Sequence, residues 1–127
     1  MGLHSESVMY RKMVELAAQL NLYLNHFPKH EKYGLCTEMR RSLYAMVCFM
    51  VESQKRYHKK TSLSNLDIEH EKLRWLNNMA YELGYFDFQN GKTGESHHHR
   101  FLVISKMIDE VGCLIGGWIR SEKQEGS

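Results

Sequence analysis

Ile108-Asp109-Glu110-Val111-Gly112-Cys113-Leu114-Ile115-Gly116-Gly117-Trp118-Ile119-Arg120 is the stretch around which the rest of the chain is organised. At 100° per residue, Phe101, Ile104, Met107, Ile108, Val111, Leu114, Ile115, Trp118 and Ile119 share one broad face, the apolar stripe of a helix turned toward a core. Gly112 and Gly116 stand four residues apart beside it. Each glycine inside a helix costs about 1 kcal/mol relative to alanine. Gly112, Gly116 and Gly117, with Trp118 following in phase, therefore predict close helix packing in which another backbone approaches. The alternative is a helix end that frays at Gly116-Gly117.

Three more amphipathic segments precede this one. Met9, Met13, Leu16, Ala17, Leu20, Tyr23, Leu24 and Phe27 recur at helical spacing and predict a first helix over about 8–26, stopped by Phe27-Pro28. Thr37 is placed to cap a second helix over about 38–60, with Met39, Leu43, Met46, Met50, Gln54 and Tyr57 on one side and Arg40, Arg41, Lys55, Arg56, Lys59 and Lys60 on the other. Within it, Leu43 to Val51 is nine consecutive residues without a charge. Ala45, Cys48 and Phe49 thus project from a side that a lone bundle would leave to water, which predicts an oligomer interface there; an over-wide core stripe is the other reading. Ser64 reads as the cap of a third helix over about 64–83, with Leu66, Leu73, Leu76, Ala80 and Leu83 as its stripe, Ile68, Trp75 and Met79 widening it, and Gly84 at its C-terminus. Tyr85 to Glu95 reads as a loop whose aromatics Tyr85, Phe86 and Phe88 cover a bundle end or dock a partner, the former being favoured. Ser96 caps the fourth helix, over about 96–122, and 123–127 is a tail.

With 127 residues, one proline and 43% hydrophobic residues, the chain reads as a single all-helical domain over 1–127. Cys36, Cys48 and Cys113 are odd in number and set in mostly apolar sequence, so they are expected to be reduced and buried. No segment reaches the length of a membrane span and the N-terminus lacks a signal pattern, so a cytoplasmic protein is expected. Gly-rich phosphate loops, a nucleophile elbow, His-Glu-x-x-His and Cys-x-x-Cys are all missing, which leaves no support for an enzyme or a cofactor. Three consecutive histidines, His97-His98-His99, point about 100° apart on a helix and do not readily converge on one metal ion. As surface groups they would instead enlarge a polyanion-binding face at lower pH. A net charge of +2 is too small to indicate nucleic-acid binding by itself. Placed on one helix, however, Arg41, Lys55 and Lys59 fall within about 40° of one another, with Arg56 and Lys60 beside them and Arg74 on the next helix. Such a set neutralises phosphates, or merely solvates a helix end whose dipole favours cations.

Phe27-Pro28-Lys29-His30-Glu31-Lys32-Tyr33-Gly34-Leu35 followed by Met39-Arg40-Arg41 resembles the first hairpin of the four-helix proteins encoded in intervening sequences of bacterial large-subunit ribosomal RNA genes. Lys72-Leu73-Arg74-Trp75-Leu76, Glu82-Leu83-Gly84, and above all Asp109-Glu110-Val111-Gly112 with Ile115-Gly116-Gly117-Trp118-Ile119 look more like Avd, the accessory variability protein of diversity-generating retroelements. The resemblance covers about Tyr10 to Arg120. It implies an antiparallel up-down four-helix bundle assembled as a homopentameric barrel with a basic surface. It also implies a non-catalytic partner of reverse transcriptase that binds RNA or DNA during mutagenic complementary-DNA synthesis. By position, Arg74 fits a basic site of the family's third helix, and Asn78 stands where a second basic residue is implied one turn later. The alternative is a protein-interaction or structural module of the intervening-sequence type, in which the basic residues only face water.

Overall fold

The computed structural model describes residues 3–55, 57, 59–88 and 96–125. Among them are four α-helices, α1 (Leu3–Leu24), α2 (Leu35–Glu52), α3 (Lys59–Glu82) and α4 (His97–Glu125), and a 3-10 turn at Lys29–Glu31. Each helix packs on the next, and α1 returns to pack on α4. The α3–α4 pair is antiparallel: Lys59 at the start of α3 meets Glu122 near the end of α4, and Tyr81 near the end of α3 meets His98 at the start of α4. The bundle is therefore up-down. Its centre is filled by the stripes that periodicity selects, including Met9, Met13, Leu16 and Leu20 of α1, Met39, Leu43 and Met46 of α2, and Leu66 and Leu73 of α3, with Ile104, Ile108, Val111, Ile115 and Trp118 from α4. Unbranched methionine fills irregular gaps between the more rigid side chains.

Helix ends follow local chemistry, though not always at the expected residue. Ser96 caps α4 as its spacing predicts, accepting the His99 N–H at 3.1 Å. Gly84 has φ +77°, and the Gly84 and Tyr85 N–H groups donate back to Tyr81 and Ala80 at 3.0 and 2.9 Å, a Schellman closure of α3 that needs a left-handed residue. Thr37, by contrast, lies inside α2, and its hydroxyl bonds Lys32 O. The cap comes from Glu31, whose Oε1 accepts the Leu35 N–H at 3.2 Å while Oε2 accepts the Tyr85 hydroxyl at 2.7 Å. The Tyr85 hydroxyl, then the Leu35 N–H, hold the Glu31 carboxyl below its ordinary pKa.

The largest departure concerns the second helix. It ends at Glu52, not near residue 60, and Lys59 and Lys60 open α3, so Ser64 is interior to that helix. The Ser53 hydroxyl donates to Phe49 O at 2.7 Å beside the Ser53 N–H at 2.9 Å, and the next amides close tighter three-residue turns. A serine hydroxyl competing for a carbonyl of the preceding turn is a weak stop signal, with neither glycine nor proline to announce it.

Phe86 is fully buried and packs edge-on against Phe27, Tyr23 and Phe101, so the aromatic connection covers the bundle end. Arg100 fastens it, its Nη1 donating to the carbonyls of Phe86 and Phe88 at 2.8 and 2.7 Å with the guanidinium 3.9 Å from the Phe88 ring centroid. Asn90 and Gly91, the expected turn, lie outside the described residues. Cys36 is buried as expected and its thiol is pushed up by that burial. Cys48 and Cys113 are exposed, because the apolar run around each is wider than the face that meets the core.

Candidate nucleic-acid interface

Moving Lys59 and Lys60 from the end of one helix to the start of another changes their electrostatics. A helix C-terminus attracts cations, whereas the first turn of α3 presents free backbone N–H groups and the positive end of the dipole. The lysines therefore add to a positive end rather than neutralise a negative one. Lys59, Lys60 and Lys123 line a groove of about 700 Å³ between the start of α3 and the end of α4, with Ser64, Asp67 and Glu122. Glu122 holds Lys59 at 3.3 Å and also accepts the Trp118 indole N–H at 3.3 Å. Among the described residues no ion pair engages Lys60, Lys123 or the exposed Lys55 of the preceding turn. Arg56 and His58 lie outside the described residues.

Arg41 and Arg74 do not join this group. Arg41 sits eleven residues before the end of α2, about 16 Å along the axis, and pairs with Glu38 at 3.5 Å. Arg74 is fifteen residues into α3, about 22 Å from Lys59. It is held by Asp109 at 2.6 Å and Glu71 at 2.8 Å. Partial burial works against its charge, and the Asp109 hydrogen bond and charge overcome it, so its pKa is raised. The expected cluster of Arg41, Lys55 and Lys59 on one helical face is thus replaced by a lysine end and two separate, acid-paired arginines. The histidines lie at the opposite end, His97 stacked on Tyr81 and His98 Nδ1 3.0 Å from its hydroxyl. They do not enlarge the lysine end.

Gly112 makes room for a side chain rather than a backbone. A Cβ there would lie 2.7 Å from Cε1 and 2.8 Å from Nε2 of His70, a buried imidazole whose Nε2 is 2.8 Å from Ile108 O across the helix pair. Gly116 and Gly117 face only Arg120 of their own helix. The helix runs on through both to Glu125, and Trp118 is buried.

Two sets stand out among the exposed apolar side chains, which also include Leu22, Leu83 and Leu102. On α2, Cys48 is exposed, but Ala45 is half-buried and Phe49 packs against the core. The outward residues beside Cys48 are Tyr44 and Val51, with Tyr10 and Val14 exposed on the neighbouring α1. On α3, Ile68, Trp75 and Met79 are exposed, so they do not widen the core stripe; Trp75 is 65% exposed. Periodicity places these three about 180–220° from Leu66, directly away from the centre.

The structure thus defines an all-α four-helix bundle with cations at one end and two outward apolar faces. The chain belongs to the bAvd-like family, whose model matches residues 7–122. No curated protein matches it. No helix among the described residues is long and apolar enough to cross a membrane.

Proposed function

We propose that the protein is a non-catalytic, cytoplasmic accessory subunit of a diversity-generating retroelement, binding reverse transcriptase and RNA or complementary DNA. Membership of the bAvd-like family over residues 7–122 carries this reading. Lys55, Lys59, Lys60 and Lys123 supply the phosphate contacts, reinforced by the first turn of α3. Arg41 and Arg74 are secondary, since each is held by a carboxylate and stands apart from the lysine end; Lys59 must likewise give up Glu122.

Its assembled form is a ring, with five copies implied by the family resemblance. Two different apolar faces favour a head-to-tail contact, in which Tyr10, Val14, Tyr44, Cys48 and Val51 of one copy meet Ile68, Trp75 and Met79 of the next; heterologous contacts of this kind close into rings. Ala45 and Phe49 border the first face.

The acid pairing of Arg41, Lys59 and Arg74 favours the second reading, a structural or protein-binding module of the intervening-sequence type. Binding of purified protein to structured RNA and duplex DNA across a salt series, with mass measured on the same sample, separates the two. On duplex DNA, four phosphate contacts give a slope of log affinity against log salt of about −3.6. A ring without affinity at low salt would move the function to protein partners, and a monomer at micromolar concentration would remove the head-to-tail interface.

A further inference from the structure

Tyr57 shares with Tyr33 the highest exposure among the tyrosines of this chain, 85%. Tyr23 is buried, Tyr81 and Tyr85 are held in ring contacts and hydrogen bonds, Tyr33 carries Lys32 against its ring, and Tyr10 and Tyr44 belong to the outward apolar face. Tyr57 is 85% exposed in the turn between α2 and α3 and has no hydrogen bond or ring contact among the described residues. Turns are built from small polar residues, glycine and proline, each with a local backbone role. A tyrosine ring left in water gains nothing from folding.

Its surroundings are cationic. Lys55 and Lys59 are each two residues away in sequence, so their Cα atoms lie within about 7 Å of that of Tyr57. Lys60 follows in the first turn of α3, the positive end of that helix's dipole. An exposed aromatic face between backbone-neutralising cations is the arrangement that holds unpaired bases, since every base has a π-face to stack while the cations take the phosphates. In a duplex the same faces are already stacked on each other.

Resting on the nucleic-acid reading above, we infer that Tyr57 is a stacking platform and that the lysine end binds single-stranded nucleic acid in preference to duplex. The phosphates run along Lys55, Lys59 and Lys60, and one base lies against the Tyr57 ring.

The test compares wild type, Tyr57→Ala, Tyr57→Phe and Lys60→Ala for binding to an unstructured labelled 20-nucleotide RNA, a duplex of equal length, and inorganic polyphosphate, which has charge but no bases. Because the ring is 85% exposed, thermal unfolding of Tyr57→Ala should match wild type. Tyr57→Ala is expected to weaken binding to the unstructured RNA about tenfold, the effect of one stacked base. Binding of duplex and polyphosphate should change less than twofold. Tyr57→Phe, which keeps the ring, should bind as wild type, and Lys60→Ala should weaken all three ligands. An unchanged affinity of Tyr57→Ala for the unstructured RNA overturns the stacking role, as does an equal loss on polyphosphate, which would make Tyr57 a contributor to the charged turn alone. If wild type binds none of the three at low salt, the nucleic-acid reading itself fails and the platform falls with it.

Discussion

Gly112→Ala isolates the contact that joins α3 to α4. On helix propensity alone the substitution stabilises by about 1 kcal/mol. The new methyl group would stand 2.7 Å from His70 Cε1, a contact that forces the imidazole aside and costs about 1–3 kcal/mol as overpacking. Displacing the ring also breaks its 2.8 Å hydrogen bond to Ile108 O, a loss of about 0.5–1.5 kcal/mol. Together these outweigh the propensity gain, for a net destabilisation of about 2 kcal/mol, or roughly 7 °C in Tm for a chain of this length. Thermal and urea unfolding at one fixed protein concentration would measure it, since any assembly makes Tm concentration-dependent. The decisive comparison is made in a His70→Ala background, where the methyl meets no ring. There Gly112→Ala should become stabilising, and the change of sign is a coupling that neither substitution shows alone. A Gly112→Ala protein more stable than wild type, or an equal cost with and without His70, would refute the packing argument.

Gly84→Ala meets no atom within 4 Å but must adopt φ +77°, so its cost is purely conformational, about 1 kcal/mol by chemical denaturation. Arg100→Ala removes the donor to the Phe86 and Phe88 carbonyls and opens space beneath the aromatic cover; a loss on the order of 3 kcal/mol is expected, and a near-neutral result would show that water replaces the guanidinium. The lowered pKa of Glu31 means that the folded state binds the proton less readily than the unfolded chain. Its stabilisation is present above the unfolded carboxyl pKa of about 4.3 and is lost as pH falls through the folded value. Glu31→Gln should therefore be less stable at neutral pH and show a flatter decline from about pH 5 downward in a pH series of urea midpoints.

Much of the architecture is legible along the chain because its signals are local. The stripes of α1 and α4 need only the helical period, the cap at Ser96 needs a hydroxyl three residues from an amide, and Gly84 stands where only a residue tolerant of positive φ closes the helix. The family motifs around Asp109-Glu110-Val111-Gly112 and Trp118 are likewise contiguous. The break after Glu52 was not legible, since residues 53–64 hold neither glycine nor proline and their basic and hydroxyl side chains suit one long helix as well as a turn. It was the lysine end that suffered for it. Read on one helix, Lys55 and Lys59 share a face with Arg41, with Lys59 about 27 Å along it; with the chain reversed after Glu52, Lys59 stands on another helix and that common face no longer exists.

Composition and periodicity by themselves determined that this chain makes helices and which face of each is apolar. Helical phase already sets Ile68, Trp75 and Met79 about 180–220° from Leu66; tertiary structure decided that this second face stays uncovered, because only α2 and α4 pack on α3. It also decided what fills the space beside Gly112, since His70 lies 42 positions away in the chain and reaches it only when α3 and α4 pack. Electrostatics divide in the same way. The number of cations is a property of the sequence, but a carboxylate from another helix silences Arg74 while Lys60 keeps its charge open to solvent, and that difference exists only once the helices are side by side.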